Sequence, residues 1–448
     1  MASASARLSA NTLTTPFYRM GELRSKIFFV LFVLVIYRVG TYIPLPGVDS
    51  IALEHAANSQ AGGLLGMFNM FTGGAVGRLS IFALNIMPYI TASIIMQLMT
   101  VISKDMAVLK KDGESGRKKI NQYTRYLTVI LALFQGYGIA VGVESMTSSY
   151  GSIVTNPGYF FRVTAVLSLM GGTLFVMWLG EQISTKGIGN GSSIIIFAGI
   201  VSGLPVAIAS FFEMGKTGSI SIIVILLVIA LVIGLIVTIV FMEKAQRRIL
   251  VQYPKRQVGN KVYGGDSSHL PLKINTSGVI PPIFANSLLL FPMTIVGFAG
   301  ASDGSGWKHW IAQNLSHGKP LYILLYIGLI CFFSFFYTSV IFNPDETAEN
   351  LRKNGGVVLG RRPGKNTSEY FDYILTRLTT IGAVYITFIC IVPEFLISEY
   401  SIPFYLGGTS LLIVVNVVID VFSQVQTYLL ANQYEGLMKK ARLRGRTP

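Results

Sequence analysis

Apolar residues along this chain come in blocks of about twenty, and the polar residues gather between the blocks. A block of that length matches the roughly 20 residues a helix needs to cross a hydrocarbon core of about 30 Å. Ten blocks predict membrane-spanning helices, over 25–43, 81–100, 124–142, 161–180, 192–211, 219–242, 276–298, 320–342, 377–396 and 402–425. One apolar stretch breaks the pattern. GGLLGMFNMFTGGAVGRLS, 62–80, runs directly into span 2. A helix from Gly63 to Val76 would reach only about 20 Å at ~1.5 Å per residue, about two thirds of what a crossing requires.

Composition agrees with the pattern: 52% of the 448 residues are hydrophobic and only 13% are charged, with a mean hydropathy of +0.57. This is membrane composition. The polar leader MASASARLSANTLTTPFYRMGELRSK precedes span 1, and PLPG follows it instead of a small-residue cleavage site, so span 1 is expected to be retained. Cys331 and Cys390 both fall inside spans, where buried free thiols are expected rather than a disulfide framework.

Charge sets the orientation. With ten spans, 30 of the 36 Lys and Arg fall on one side; Arg78, Arg162, Lys216, Lys308 and Lys319 fall on the other, and Arg38 lies inside span 1. The positive-inside rule puts both termini in the cytoplasm. The expected organisation is a cytoplasmic segment 1–24, a first half 25–211 with spans 1–5, a second half 219–425 with spans 6–10, and a basic cytoplasmic tail 426–448. That rule also accounts for most of the net charge of +15 without nucleic acid. It does not account for segments 243–275 and 343–376, far longer than the usual connection of about 4–6 residues. Both mix basic residues with turn formers, as in YPKRQVGNKVYGGDSSH and RKNGGVVLGRRPGKNTSEY, and read as a docking surface for something large.

The chain also repeats itself. IMPYITAS at 86–93 aligns without gaps to VIPPIFAN at 279–286, pairing Pro88 with Pro281 and Ile90 with Ile283; GSSIII at 191–196 aligns to GTSLLI at 408–413, setting Ile196 against Ile413. Both pairs are offset by five spans. An odd number of spans per half predicts inverted repeats about an axis in the membrane plane, with the site near the midplane where the halves meet. Spans 2, 5, 7 and 10 would meet there, and their shared chemistry is isoleucine.

An energised solute transporter would place charges at that point, whereas the spans offer only Arg38 near one end of span 1 and Asp420 near the inner end of span 10, both read as interfacial or snorkelling. An intramembrane hydrolase would need a base beside its nucleophile, and His55, His269, His309 and His317 all lie outside the spans. No metal-ligand spacing or phosphate-cradling loop stands out, so no cofactor and no enzymatic activity are expected. A belt of branched apolar side chains suits a dewetted constriction that excludes ions yet deforms around a bulky solute. The short segment is then either a movable seal, with glycine hinges and soft Met67, Phe68, Met70 and Phe71, or a re-entrant piece that fills space between helices.

FNMFTGGA followed by SIFALNIMPYITASII, then KKDGESGRKKINQYTRY, MWLGEQISTKGIGNG, SIIIFAGIVSGLP, HLPLKINTSGVIPPIFA, FNPDETAENLRKNGG and PFYLGGTSLLIVV, closely resemble the SecY family, channel subunits of the bacterial protein-export translocase. The similarity runs from about Gly21 to the tail. It implies an all-α integral membrane protein of the bacterial inner membrane: ten helices in two inverted five-helix halves around an hourglass pore that conducts unfolded secretory polypeptides. It further implies sideways opening between spans 2 and 3 on one half and 7 and 8 on the other, releasing transmembrane segments into the lipid bilayer.

Carried over by motif, the pore ring falls on Ile86, Ile90, Ser192, Ile196, Ile283 and Ile413. The plug falls on 64–76, with Leu64, Met67, Phe68, Asn69, Met70, Phe71, Gly73 and Gly74. Docking of the motor and ribosome falls on Arg247, Arg248, Lys255, Arg256, Arg361, Arg362 and Lys365. Ser192 departs from the isoleucine of the family pattern and Arg361 from an apolar residue. The implied partners are small single-span subunits (SecE-like, SecG-like), a SecA-like cytosolic motor ATPase, the translating ribosome, signal sequences and unfolded polypeptide.

Overall fold

The structure, a computed structural model, describes residues 21–49, 72–145, 147–148, 151–218, 221–253, 256–258, 261–263, 267–298, 314–315, 319–400 and 407–444. Ten long helices coincide with the ten apolar blocks: α1 (Gly21–Gly40), α2 (Met87–Ile102), α4 (Glu114–Ser145), α5 (Tyr159–Lys186), α6 (Gly191–Lys216), α7 (Ile222–Lys244), α8 (Ile280–Phe298), α9 (Pro320–Ile341), α11 (Lys365–Tyr400) and α12 (Gly408–Arg444). Two short polar helices join them, α3 (Lys104–Lys111) and α10 (Pro344–Lys353). Seven helices among the described residues are long and apolar enough to cross a membrane, and the bent pair α2–α3, which turns through 100°, makes eight. Helix α1 misses that measure because Glu22, Arg24, Lys26 and Arg38 sit near its ends.

Hydropathy placed the helices but not their ends. Span 2 was expected from residue 81, yet the helix starts at Met87 with Pro88 in its first turn, where a missing N–H costs nothing. The preceding stretch 72–86 is a chain of turns, with positive φ at Gly73, Gly74, Leu79 and Asn85. At the other extreme, α4, α11 and α12 continue well beyond their apolar windows as polar helix.

Two apolar cores organise the bundle. The first collects α1, α2, α5 and α6 and takes in Phe284 of α8, Phe333 of α9, and Ile413 and Val417 of α12. The second collects α7, α8, α9, α11 and α12 around Ile239, Ile330, Ile386 and Leu412. Ile283 packs against both. Along the seam between the halves α8 lies against α2 and α4, and the Lys110 Nζ donates to the Val340 carbonyl oxygen at 3.4 Å.

The sequence repeat has a counterpart in packing. A Cβ on Gly191, which opens α6, would lie 1.8 Å from the Gly180 carbonyl oxygen of α5; one on Gly408, which opens α12, would lie 2.1 Å from the Ile389 carbonyl oxygen of α11. Both repeat-related helices start where only glycine lets two backbones touch, a use of small residues common between membrane helices.

The two long basic segments are not free loops. Strand β3 (Gln246–Gln252) pairs antiparallel with β6 (Ser267–Lys273), from Gln246↔Lys273 to Gln252↔Ser267. The second segment adds β7 (Val357–Val358) on the other edge, Val251 opposite Val358. Between β3 and β6 lies a short hairpin of β4 (Arg256–Val258) and β5 (Lys261–Tyr263), and a two-residue pair, β1 (Thr147–Ser148) and β2 (Gly151–Ser152), follows α4. Ile249, Val251, Leu272, Val358, Phe371 and Ile374 bury one face of the β3–β6–β7 sheet against α10 and the first turns of α11. Alternation of period 2 in QRRILVQ drives this, because Ile249 and Val251 point inward while Arg248 and Gln252 stay exposed.

Candidate functional site: an isoleucine belt and the segment leading to it

Five of the six residues assigned to the ring come together. Ile86, Ile90, Ile196 and Ile413 are buried in one cluster, and the half-buried Ile283 packs against it. They arrive from four helices in both halves: the start of α2, the first turns of α6, the first turn of α8 and the first turns of α12. Room for this convergence comes from Gly180, where a Cβ would sit 3.4 Å from both the Ile86 Cδ1 and the Ile195 Cδ1. The sixth, Ser192, is polar and so no part of that apolar cluster; it lies on α6 one turn before Ile196, partly buried. Its N–H and its hydroxyl both donate to the Asn190 Oδ1, at 3.1 and 2.7 Å, as Asn190 caps α6. A hydroxyl so engaged is satisfied locally, which removes the cost of a serine beside an apolar belt.

Of the plug candidates, Leu64, Met67, Phe68, Asn69, Met70 and Phe71 lie outside the described residues. Gly73 and Gly74 are described and both have left-handed φ, +65° and +88°. A Cβ on Gly73 would meet the Ser202 Oγ at 2.5 Å and the Gly199 carbonyl oxygen at 3.0 Å. Both conformation and space require glycine there. The Gly73 carbonyl oxygen accepts from the Arg38 Nη1 at 2.7 Å, and Thr72 is fully buried beside it. Position alone marks Arg38 as a snorkelling or interfacial residue. The signal that could have found its role is the cost of a cation inside an apolar span, which calls for a partner. Asp420 instead accepts from the Gln424 Nε2 at 3.4 Å.

The docking candidates gather on the sheet and its margins. Arg247 and Arg248 lie on β3, exposed, opposite Leu272 and Pro271. Arg361 and Arg362 follow β7, with the Arg361 guanidinium 5.1 Å from the Tyr370 ring centre, and Lys365 opens α11; all three are exposed. The turn that carries them is pinned by the Thr367 hydroxyl, which donates to the Arg362 carbonyl oxygen at 2.8 Å. Arg256 is on β4, and Lys255 lies outside the described residues. No group of three or more His, Cys, Asp or Glu residues that could hold a metal occurs among the described residues.

Comparison with known proteins bears on this arrangement. The SecY family model matches residues 80–422. Among curated proteins the chain is 59% identical to the protein translocase subunit SecY of Rickettsia typhi, over 94% of this chain and 97% of that one. It is 54% identical to the protein translocase subunit SecY of Escherichia coli K12, over 95% and 96%. Among solved structures, one described as a protein conducting channel superposes with a TM-score of 0.66 at 19% identity, covering 93% of this chain and 94% of that one. Sec61 in the canine ribosome-channel complex superposes at 0.62 and 18% identity, covering 93% and 94%. At such identities the two superpositions speak for the fold.

Proposed function

The chain belongs to the SecY family, multi-pass membrane subunits of a protein-translocating channel, and from that premise we propose which of its residues carry the passage. The belt of Ile86, Ile90, Ile196, Ile283 and Ile413 is the constriction. Branched apolar side chains leave a narrow gap in which water is unstable, so ions are excluded, while side chains without directional bonds yield to a passing polypeptide of any sequence. Segment 64–76 is the plug that completes the seal outside the belt, and Ser192 leaves the ring with one polar member. The observation that carries this reading is the convergence of isoleucines from both halves into one buried cluster.

Passage is passive, and energy comes from partners. The exposed Arg247, Arg248, Arg361, Arg362 and Lys365, with Lys255 and Arg256, form the docking surface for a cytosolic motor ATPase and for the ribosome, whose RNA favours Lys and Arg. Small single-span subunits complete the assembly. The seam where α8 lies against α2 and α4 is the side exit, which lets signal sequences and apolar segments partition into lipid. The Lys and Arg distribution supports a bacterial inner-membrane orientation with both termini and the sheet in the cytoplasm.

Reconstitution tests the reading. Purified complex with motor and ATP is expected to move a secretory precursor into protease-protected vesicle space; accumulation of a small solute without precursor movement would favour a transporter and overturn it.

A further inference from the structure

Arg38 is the cation in the last turn of α1, and among the described residues it makes no ion pair. It spends its donors on neutral oxygens. Nη1 donates to the Gly73 carbonyl oxygen at 2.7 Å and to the Ser202 Oγ of α6 at 3.1 Å; Nη2 donates to the Tyr42 hydroxyl at 3.1 Å. The Ser202 hydroxyl in turn donates to the Gly199 carbonyl oxygen at 2.7 Å, which aims its lone pair at the guanidinium. The exposed Tyr42 ring also carries a second cation, with the Arg78 guanidinium 4.2 Å from its centre. The segment that enters this grip is closely packed: Thr72 is fully buried, its Oγ1 accepts from the Val76 N–H, and Gly73 leaves no room for a side chain beside Ser202 and Gly199.

We propose that Arg38 and Ser202 form a latch that holds the 72–76 segment against α1 and α6, and that an extended polypeptide backbone opens it by offering its own carbonyls in place of that of Gly73. The latch rests on the reading of 64–76 as a plug. Its chemistry suits release. A carboxylate partner would hold the guanidinium through a charge pair that no neutral chain could match, whereas a backbone carbonyl is replaced at no net loss by any peptide that reaches it. The same exchange is indifferent to side chains, as a channel for many substrates requires. Arg38 is thus a positioning residue for the closed state rather than part of the constriction.

The test uses the full complex, with two readouts on Arg38→Gln and on the milder Ser202→Ala. Hydrogen exchange at the Val76, Leu79 and Ser80 amides is expected to speed up on the order of 10- to 100-fold in Arg38→Gln, the range for losing a charge-assisted hydrogen bond, and by a few-fold in Ser202→Ala. Resting ion conductance is expected to rise in the same order. In a channel lacking Phe68–Ala75, which has no Gly73 to hold, Arg38→Gln is expected to add nothing. Unchanged exchange in both variants of normally assembled complex overturns the latch, even if the deletion leaks. Faster exchange with no conductance in either the variants or the deletion leaves the latch standing and refutes the plug reading instead.

Discussion

The isoleucine belt and the β3–β6–β7 sheet both join segments well separated in the chain, and they do so by opposite means. The sheet draws segments 246–273 and 357–358 together through backbone pairing in fixed register, with Phe371 and Ile249 beneath it. The belt draws single side chains from four helices, and across the two halves they meet by side-chain contact. A surface built on backbone register keeps its shape when its exposed side chains change, so it can carry a dense set of arginines. A closure built on side chains alone responds to each of them, which suits an opening that must be made and unmade.

That contrast predicts different consequences for single changes. The largest effects belong to the glycines that let the belt helices converge. Gly408→Val drives a side chain into the Ile389 carbonyl and is expected to cost 3 kcal/mol or more, seen as failed assembly or a collapse of thermal stability in detergent. Gly171→Ala, which meets nothing within 4 Å in the middle of α5, is expected to be neutral or stabilising by up to about 1 kcal/mol. Equal outcomes for the two would break the packing account.

Next in size, Phe371→Ala empties a fully buried site under the sheet and is expected to cost about 3–5 kcal/mol locally. Limited proteolysis should then cut the sheet region while resting vesicles stay ion-tight. Ile196→Ser is expected to do the reverse, leaving protease resistance intact and raising ion leak. On the surface, Arg362→Glu is expected to lower motor-driven export at least about tenfold with unchanged expression and proteolytic pattern, since the side chain is exposed and reversing its charge disfavours an anionic partner. Normal export would remove Arg362 from the docking surface. The smallest expected change is Ser192→Ile, a few-fold reduction of ion leak in a channel already lacking Phe68–Ala75, read by single-channel recording at equal protein density.

Much of this architecture was legible from hydropathy alone, because a bilayer imposes a length that a soluble core does not. What was missed has local physical causes. The turns at 72–86 are as apolar as a helix, so only Pro88, in the first turn of α2, marked its true start. Helix α10 falls in a segment whose length and turn formers predict loop, although PDETAENLRK carries an Asn343 cap, a proline in the first turn, acids at its start and bases at its end. The sheet was hidden by its basic residues, which sit on the exposed half of a period-2 pattern. The belt residues came from resemblance and repeat alignment, since nothing in a single isoleucine distinguishes constriction from core. Arg38 was visible but assigned to the interface, because its partner is a backbone carbonyl and leaves no trace in side-chain chemistry.

The central claim, that unfolded polypeptide passes through the belt, is tested most directly by photocrosslinking. A photoreactive residue is installed at Ile90, Ile283 or Ile413, and in parallel at the exposed Leu226 or Ile233 of α7. A precursor arrested midway is expected to crosslink at the three belt positions and not at the two on α7. Crosslinks confined to α7, or absent from the belt while the precursor is protected inside vesicles, would contradict the account.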